Sequence, residues 1–175
     1  TQMVNELLEL SRIEAGRFNF DYQRIEPYRL MQKPVERMVL QAERVNLTLS
    51  YDCPVDLPLV FADPERISQV FINLIHNAIK FTPNGGRIHV TAYQDGQMVV
   101  FKVSDTGVGI AEKDITRIFE RFYKADRARS GGGTGLGLSI CRHIVDAHGG
   151  KIWAESVENE GSDFYFSLPV VYGEN

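Results

Sequence analysis

Arg66, Asn73, Asn77 and Lys80 stand zero, seven, eleven and fourteen residues along a segment of helical periodicity, a spacing that stacks polar side chains on one helix face. A solvated face is the ordinary explanation of such a column. Two asparagines one turn apart are less ordinary, because the asparagine amide competes for backbone hydrogen bonds and disfavours helix, so Asn73 and Asn77 point to side chains kept for polar ligands. A second group, Asp105-Thr106-Gly107-Val108-Gly109-Ile110, lies where a strand leaves a sheet. Its glycines suit a turn with unusual backbone angles. They equally suit close approach to a flat ligand, with the Asp105 carboxylate accepting a hydrogen bond from an amino group such as that of adenine; the motif alone is compatible with both. The third group, Gly131-Gly132-Gly133-Thr134-Gly135-Leu136-Gly137-Leu138, runs into a helix. Glycines there bare backbone amides and the helix dipole adds partial positive charge, the combination that cradles phosphate oxygens. Glycine runs are more often linkers, but Leu136, Leu138 and Ile140 give this one apolar positions that a linker does not need. The spacing is not that of a P-loop, and the run follows a loop rather than the strand that precedes a dinucleotide-binding fingerprint.

The elements that must hold these groups are legible from periodicity and punctuation. Met3, Val4, Leu7, Leu8, Leu10 and Ile13 predict an amphipathic helix stopped by Gly16. Phe18, Phe20 and Tyr22 alternate with polar residues and predict a strand; Pro27 then opens a helix to about Val45, and Leu47, Leu49 and Tyr51 mark the next strand. After a loop punctuated by Pro54 and Pro58, Asp63 and Pro64 supply an N-cap and first residue for a helix to about Phe81, whose apolar stripe is Ile67, Val70, Phe71, Leu74, Ile75 and Ala78. Pro83-Asn84-Gly85-Gly86 predicts a turn, and Asp95-Gly96 a hairpin between 87–94 and 97–103. A short helix over 112–122 precedes a polar stretch, 124–133, that has no periodicity and reads as a mobile loop. A helix over 135–148, closed by Gly149-Gly150, and a second hairpin of 151–157 with 163–170 complete the chain. Strands separated by helices, with hairpins present, imply an α/β fold: a mixed sheet covered on one face by helices.

At 175 residues this is the length of one domain, and 43% hydrophobic with 24% charged residues is a globular composition. A net charge of -4 argues against general affinity for nucleic acid or an anionic membrane, so any anion must be caught locally. Cys53 and Cys141 form no CxxC pair, which suggests neither a disulfide scaffold nor a zinc site and fits a reducing cytoplasm. His76, His89, His143 and His148 stand apart and read as surface or cap residues rather than metal ligands. No apolar run reaches the roughly 18 to 20 residues of a membrane span. Because the chain starts without an initiator methionine and inside a helix, it is expected to be part of a longer protein, for which an inner-membrane anchor is left open.

Together the motifs resemble those of sensor histidine kinase catalytic domains. Asn73-Leu74-Ile75-His76-Asn77-Ala78-Ile79-Lys80-Phe81 resembles the asparagine box of that family and Asp105 to Ile110 the first glycine box; Phe119-Glu120-Arg121-Phe122 resembles the phenylalanine box, and Gly133 to Leu138 the second glycine box, all in family order. Residues 7–16 resemble the end of the second helix of the dimerisation hairpin. The resemblance, over about 17–169, implies a Bergerat-type ATP-binding fold. This is a two-layer sandwich of a mixed sheet under about three helices, preceded by a helical segment, with 1–16 as the hairpin end and 17–175 as the catalytic domain.

It also implies ATP and Mg²⁺ as cofactors and roles for residues. Asp105 would read adenine and Asn77 would offer its oxygen to Mg²⁺, while Asn73, Lys80 and Lys124, with Arg127 or Arg129, would contact the phosphates; Asn73, Lys80 and Lys124 are the catalytic candidates. Phe81, Gly107, Gly109, Ile110, Phe122, Gly133, Thr134, Gly135, Leu136, Gly137 and Leu138 would line the nucleotide. Residues 120–133 would be an ATP lid anchored by Phe119 and Phe122, and Ser162 would place a hydroxyl near the Asp105 carboxylate. Gyrase-like relatives carry a water-activating glutamate where Asn73 stands, and an amide takes no proton at neutral pH, so transfer is implied rather than hydrolysis. The γ-phosphoryl would go to a histidine on the upstream hairpin and then to a response-regulator receiver domain, in a homodimeric parent from which this piece alone would be monomeric. None of the four histidines begins the acceptor pattern His-Glu/Asp-x-x-x-Pro. A related serine kinase is disfavoured by the preceding helix, and a nucleotide sensor without catalysis by the intact Asn73, Asn77, Lys80 and Asp105.

Overall fold

A computed structural model describes residues 2–16, 19–125 and 135–172. In chain order the elements are α1 (Gln2–Glu14), β1 (Gln23–Ile25), α2 (Pro27–Arg44), β2 (Thr48–Asp52), β3 (Val60–Ala62) and α3 (Pro64–Phe81). They continue with β4 (Arg87–Asp95), β5 (Met98–Asp105), α4 (Glu112–Ile115), α5 (Gly137–Ala147), β6 (Ile152–Val157) and β7 (Gly161–Pro169). The main sheet has the order β2-β4-β5-β7-β6; β2 pairs parallel with β4 and every other pairing is antiparallel. β1 and β3 make a separate antiparallel pair. Alternation along β5 and β7 sends Val99, Phe101, Val103, Phe164, Phe166 and Leu168 to the helix side, where α3 packs on β5 and α5 on β7, while α2 packs on α3 and β2. α3 is the central helix: Phe71 meets Phe101 and Phe166 edge-on at 5.4 and 5.0 Å, which fixes the rotation of α3 and turns its polar column away from the sheet. Among the described residues no helix is long and apolar enough to cross a membrane.

The expected cap of α3 is present and does more than cap. Asp63 Oδ1 accepts from the amides of Glu65 and Arg66, and Oδ2 accepts from the Asp21 amide at 2.9 Å. The Asp63 amide donates to His148 Nε2 at 3.0 Å, while His148 Nδ1 lies 2.8 Å from the Ile144 carbonyl. One buried imidazole thereby ties the start of α3 to the end of α5.

Several elements differ from the sequence reading. The alternation around Phe20 and Tyr22 is not a strand: the two rings stack at 5.6 Å and pack edge-on against His148, and pairing begins only at Gln23. β3 was not expected, being three residues long and set among prolines. The helix expected over 112–122 is only α4, followed by turns that reach Phe122 at φ +64°; Tyr123 donates its hydroxyl hydrogen bond to the buried Asp114 and holds those turns. α5 starts at Gly137, with Leu136 as its N-cap, rather than at residue 135. Of the expected loop and lid, residues 126–133 lie outside the described residues.

α1 packs on α5 and shares the core of the domain, with Leu10 only 1% exposed. Glu9 accepts from Arg66 at 3.2 Å and from Gln69 at 2.8 Å, and Glu14 pairs with Arg121 and lies 3.6 Å from His143. Met3, Val4, Leu7 and Leu8 of the same helix are exposed.

Candidate functional site

The polar column of α3 and the start of α5 face one another across a cleft of about 140 Å³ lined by Glu6, Asn73, His76, Asn77, Lys80, Gly137 and Leu138. Two sequence groups far apart in the chain thus form one surface. Gly137 is the first residue of α5, and an added Cβ there would meet nothing within 4 Å, so the helix start is open to a ligand. Leu136 is fully buried and anchors that start.

Asn73 Nδ2 donates to Cys141 Sγ at 3.6 Å. Burial pushes the Cys141 thiol up to about 12, so it stays neutral and serves as a soft partner that orients the amide. Asn77 differs: its Nδ2 is buried and, among the described residues, is the one buried side-chain nitrogen or oxygen without a hydrogen-bond partner. Leaving such a group unpaired costs about 1–3 kcal/mol, a cost that a ligand with acceptor oxygens removes. The amide oxygen of the same side chain is a hard donor of the kind Mg²⁺ takes, so this residue fits the metal role. Lys80 lies at the same cleft with Nζ 5.3 Å from the centre of the Phe81 ring.

The loop after β5 is clamped on both sides. Val108 donates its amide to the Phe81 carbonyl at 3.0 Å, and a Cβ on Gly107 would stand 2.4 Å from that same oxygen. Gly109 has φ +72°, and a Cβ there would stand 2.3 Å from the Val157 carbonyl oxygen. Both glycines are therefore required by contacts within the protein, between the end of α3 and the β6–β7 turn. The Ile110 amide donates to Ser156 Oγ at 2.8 Å, and the Ile110 side chain is buried. Asp105, 6% exposed, accepts on Oδ1 from the amides of Gly107 at 2.8 Å and Ser162 at 3.3 Å. Ser162 thus reaches the carboxylate through its amide; its hydroxyl lies 2.9 Å from Ser156 Oγ instead.

Phe119 is buried against Phe164 at 6.2 Å. Phe122 is 48% exposed and in the left-handed region, and its amide donates to the Gly135 carbonyl at 3.0 Å. Gly135 has φ +77° and packs so tightly on the Phe122 backbone that a Cβ would stand 2.9 Å from it. Lys124 is half-buried and is not among the residues lining the α3–α5 cleft. Gly133, Thr134, Arg127 and Arg129 lie outside the described residues. Sequence reasoning missed Glu6, Cys141, Ser156 and Gly161. Gly161, at φ +135°, carried a signal, since a Cβ would stand 2.2 Å from the Asp105 carbonyl oxygen; the others are brought in only by tertiary packing.

Residues 62–172 match the family described as Histidine kinase-, DNA gyrase B-, and HSP90-like ATPase, and the chain belongs to that family. Within it, the kinship is with the ATP-binding catalytic domains of sensor histidine kinases. The chain is 40% identical over 170 residues to the adaptive-response sensory kinase SasA of Thermosynechococcus vestitus, a match that covers 97% of this chain and 45% of that protein. It superposes on full-length ShkA in complex with AMPPNP with a TM-score of 0.87 at 30% identity, covering 99% of this chain and 36% of that one. The nucleotide-free catalytic domain of histidine kinase ThkA gives a TM-score of 0.76 at 34% identity, over 86% of this chain and 97% of that one. The chain spans less than half the length of the curated sensory kinases it matches.

Proposed function

We propose that the chain binds Mg-ATP and delivers its γ-phosphoryl group to a histidine on an upstream dimerisation hairpin, for onward transfer to the aspartate of a response-regulator receiver domain in the cytoplasm. The observation that carries this reading is the Asn77 amide, unsatisfied among the described residues, in a cleft shared with Asn73, Lys80 and the open start of α5. Asp105 recognises the adenine amino group, held in position by the amides of Gly107 and Ser162. Lys80 and the first amides of α5 take phosphate oxygens, with Lys124 joining from the start of the lid. Asn77 and phosphate oxygens would hold Mg²⁺, which supplies neutralisation of phosphate charge. Asn73, tied to Cys141, presents an amide where a water-activating base would otherwise stand, so these residues position the phosphoryl group without promoting its hydrolysis. In the parent dimer, the exposed Met3, Val4, Leu7 and Leu8 of α1 pack against the rest of the hairpin.

The test is Asp105→Asn. Its amide oxygen still accepts from Gly107 and Ser162, so the fold is retained, while its nitrogen sets a donor against the adenine amine. Losing a charged acceptor weakens ATP and ADP by roughly tenfold to a hundredfold in titration calorimetry. Unchanged affinity would remove Asp105 from the adenine site.

A further inference from the structure

We propose that Glu6 of α1 is a specificity-determining residue of the nucleotide cleft: with α1 docked, its carboxylate selects against nucleotide of high negative charge, so ATP binding and α1 docking oppose one another. This rests on the nucleotide reading of the cleft.

Glu6 lines the cleft together with Asn73, Asn77, Lys80 and Gly137, groups that otherwise attract an anion. It stands one turn before Leu10, the α1 side chain buried in the core, and so shares the face that α1 turns to the domain. Two further acidic residues fix that face. Glu9 holds Arg66 and Gln69 of α3, and Glu14 holds Arg121, the residue before Phe122. Phe122 in turn hydrogen-bonds Gly135 at the approach to α5, so the clasp reaches the segment that borders the phosphate end of the cleft. A half-buried carboxylate among phosphate-binding donors competes with phosphate for them and repels it, and low local dielectric strengthens the repulsion. The penalty grows with nucleotide charge, being greatest for metal-free ATP, smaller for metal-free ADP and least for Mg-ATP. Displacement of α1 carries Glu6 out of the cleft and removes it.

The experiment is calorimetric titration of the full chain and its Glu6→Gln variant with ATP and ADP, each in EDTA and in excess Mg²⁺. Expected for Glu6→Gln is ATP binding tighter by on the order of threefold to tenfold in EDTA, with a smaller gain for ADP and gains that shrink with Mg²⁺ and high salt. The Glu9→Gln/Glu14→Gln double variant, which loosens α1, is expected to tighten ATP as well and to add little on top of Glu6→Gln. Equal ATP affinity in wild type and Glu6→Gln would overturn the proposal. So would weaker Mg-ATP binding by Glu6→Gln, which would make Glu6 a metal-side ligand, or a loosened variant without gain. Failure of every protein to bind ATP under any condition would instead refute the nucleotide reading, and this proposal with it.

Discussion

Asn77 combines a cost in stability with the binding role proposed for it. Among the described residues its buried amide nitrogen has no partner, so Asn77→Ala removes an unsatisfied group and is expected to leave the protein as stable as wild type or about 1 kcal/mol more stable in thermal melts. The same change should abolish the Mg²⁺-dependent part of ATP affinity and largely spare the metal-free part. Equal losses with and without metal would assign Asn77 to packing. Gly109 is the opposite case. At φ +72° and with the Val157 carbonyl where a Cβ would go, Gly109→Ala should cost about 2 kcal/mol or more and lower the melting temperature by several degrees. Asn73, Asn77 and Lys80 were legible as a set because helical periodicity is local. Glu6 and Cys141 were not, because only the packing of α1 and α5 on α3 brings them to the same cleft.

The element pair that frames the cleft, α3 and α5, is joined at its far end by His148. Burial holds this imidazole below its usual 6.5, and the hydrogen bond to the Ile144 carbonyl and the nearby Asp63 carboxylate offset only part of that; the ring nitrogen that accepts from the Asp63 amide must be unprotonated. A folded-state pKa below the unfolded one gives stability that is complete above the unfolded value and is lost as pH falls toward the folded one. Stability should therefore decline from about pH 6.5 downward, and His148→Gln, whose amide can both accept from Asp63 and donate to Ile144, should flatten denaturant-measured stability between about pH 7 and 5. An unchanged slope in the variant would free His148 of this role. Helix caps and hairpin turns are written in adjacent residues, which is why Asp63-Pro64 and Asp95-Gly96 were readable. Around Ile115, Ile118 and Phe119, the same apolar spacing serves a helix or a chain of turns, and only the buried Asp114–Tyr123 contact and the left-handed Phe122 decide for turns. Phe20 and Tyr22 alternate because both meet His148, a contact no local pattern records.

At the scale of the molecule, the layered sheet and helices hold Asp105 at one end of β5 and the polar face of α3 beside it, while α1 lies across α3 and α5. Packing puts Leu10 of α1 in the same core as the sheet. Such an arrangement can position ATP but contains no acceptor motif, since none of His76, His89, His143 and His148 begins His-Glu/Asp-x-x-x-Pro. Phosphoryl transfer needs the acceptor nitrogen in line with the γ-phosphate, so under the proposed function the upstream hairpin is required for the reaction itself. The most direct measurement is incubation with γ-labelled ATP at neutral to alkaline pH, where phosphohistidine survives, with and without the upstream hairpin. The label should appear on the hairpin histidine only when the hairpin is present, with little phosphate released by the chain alone. Rapid stoichiometric labelling of the isolated chain on any of its four histidines, or rapid release of labelled phosphate, would contradict the account.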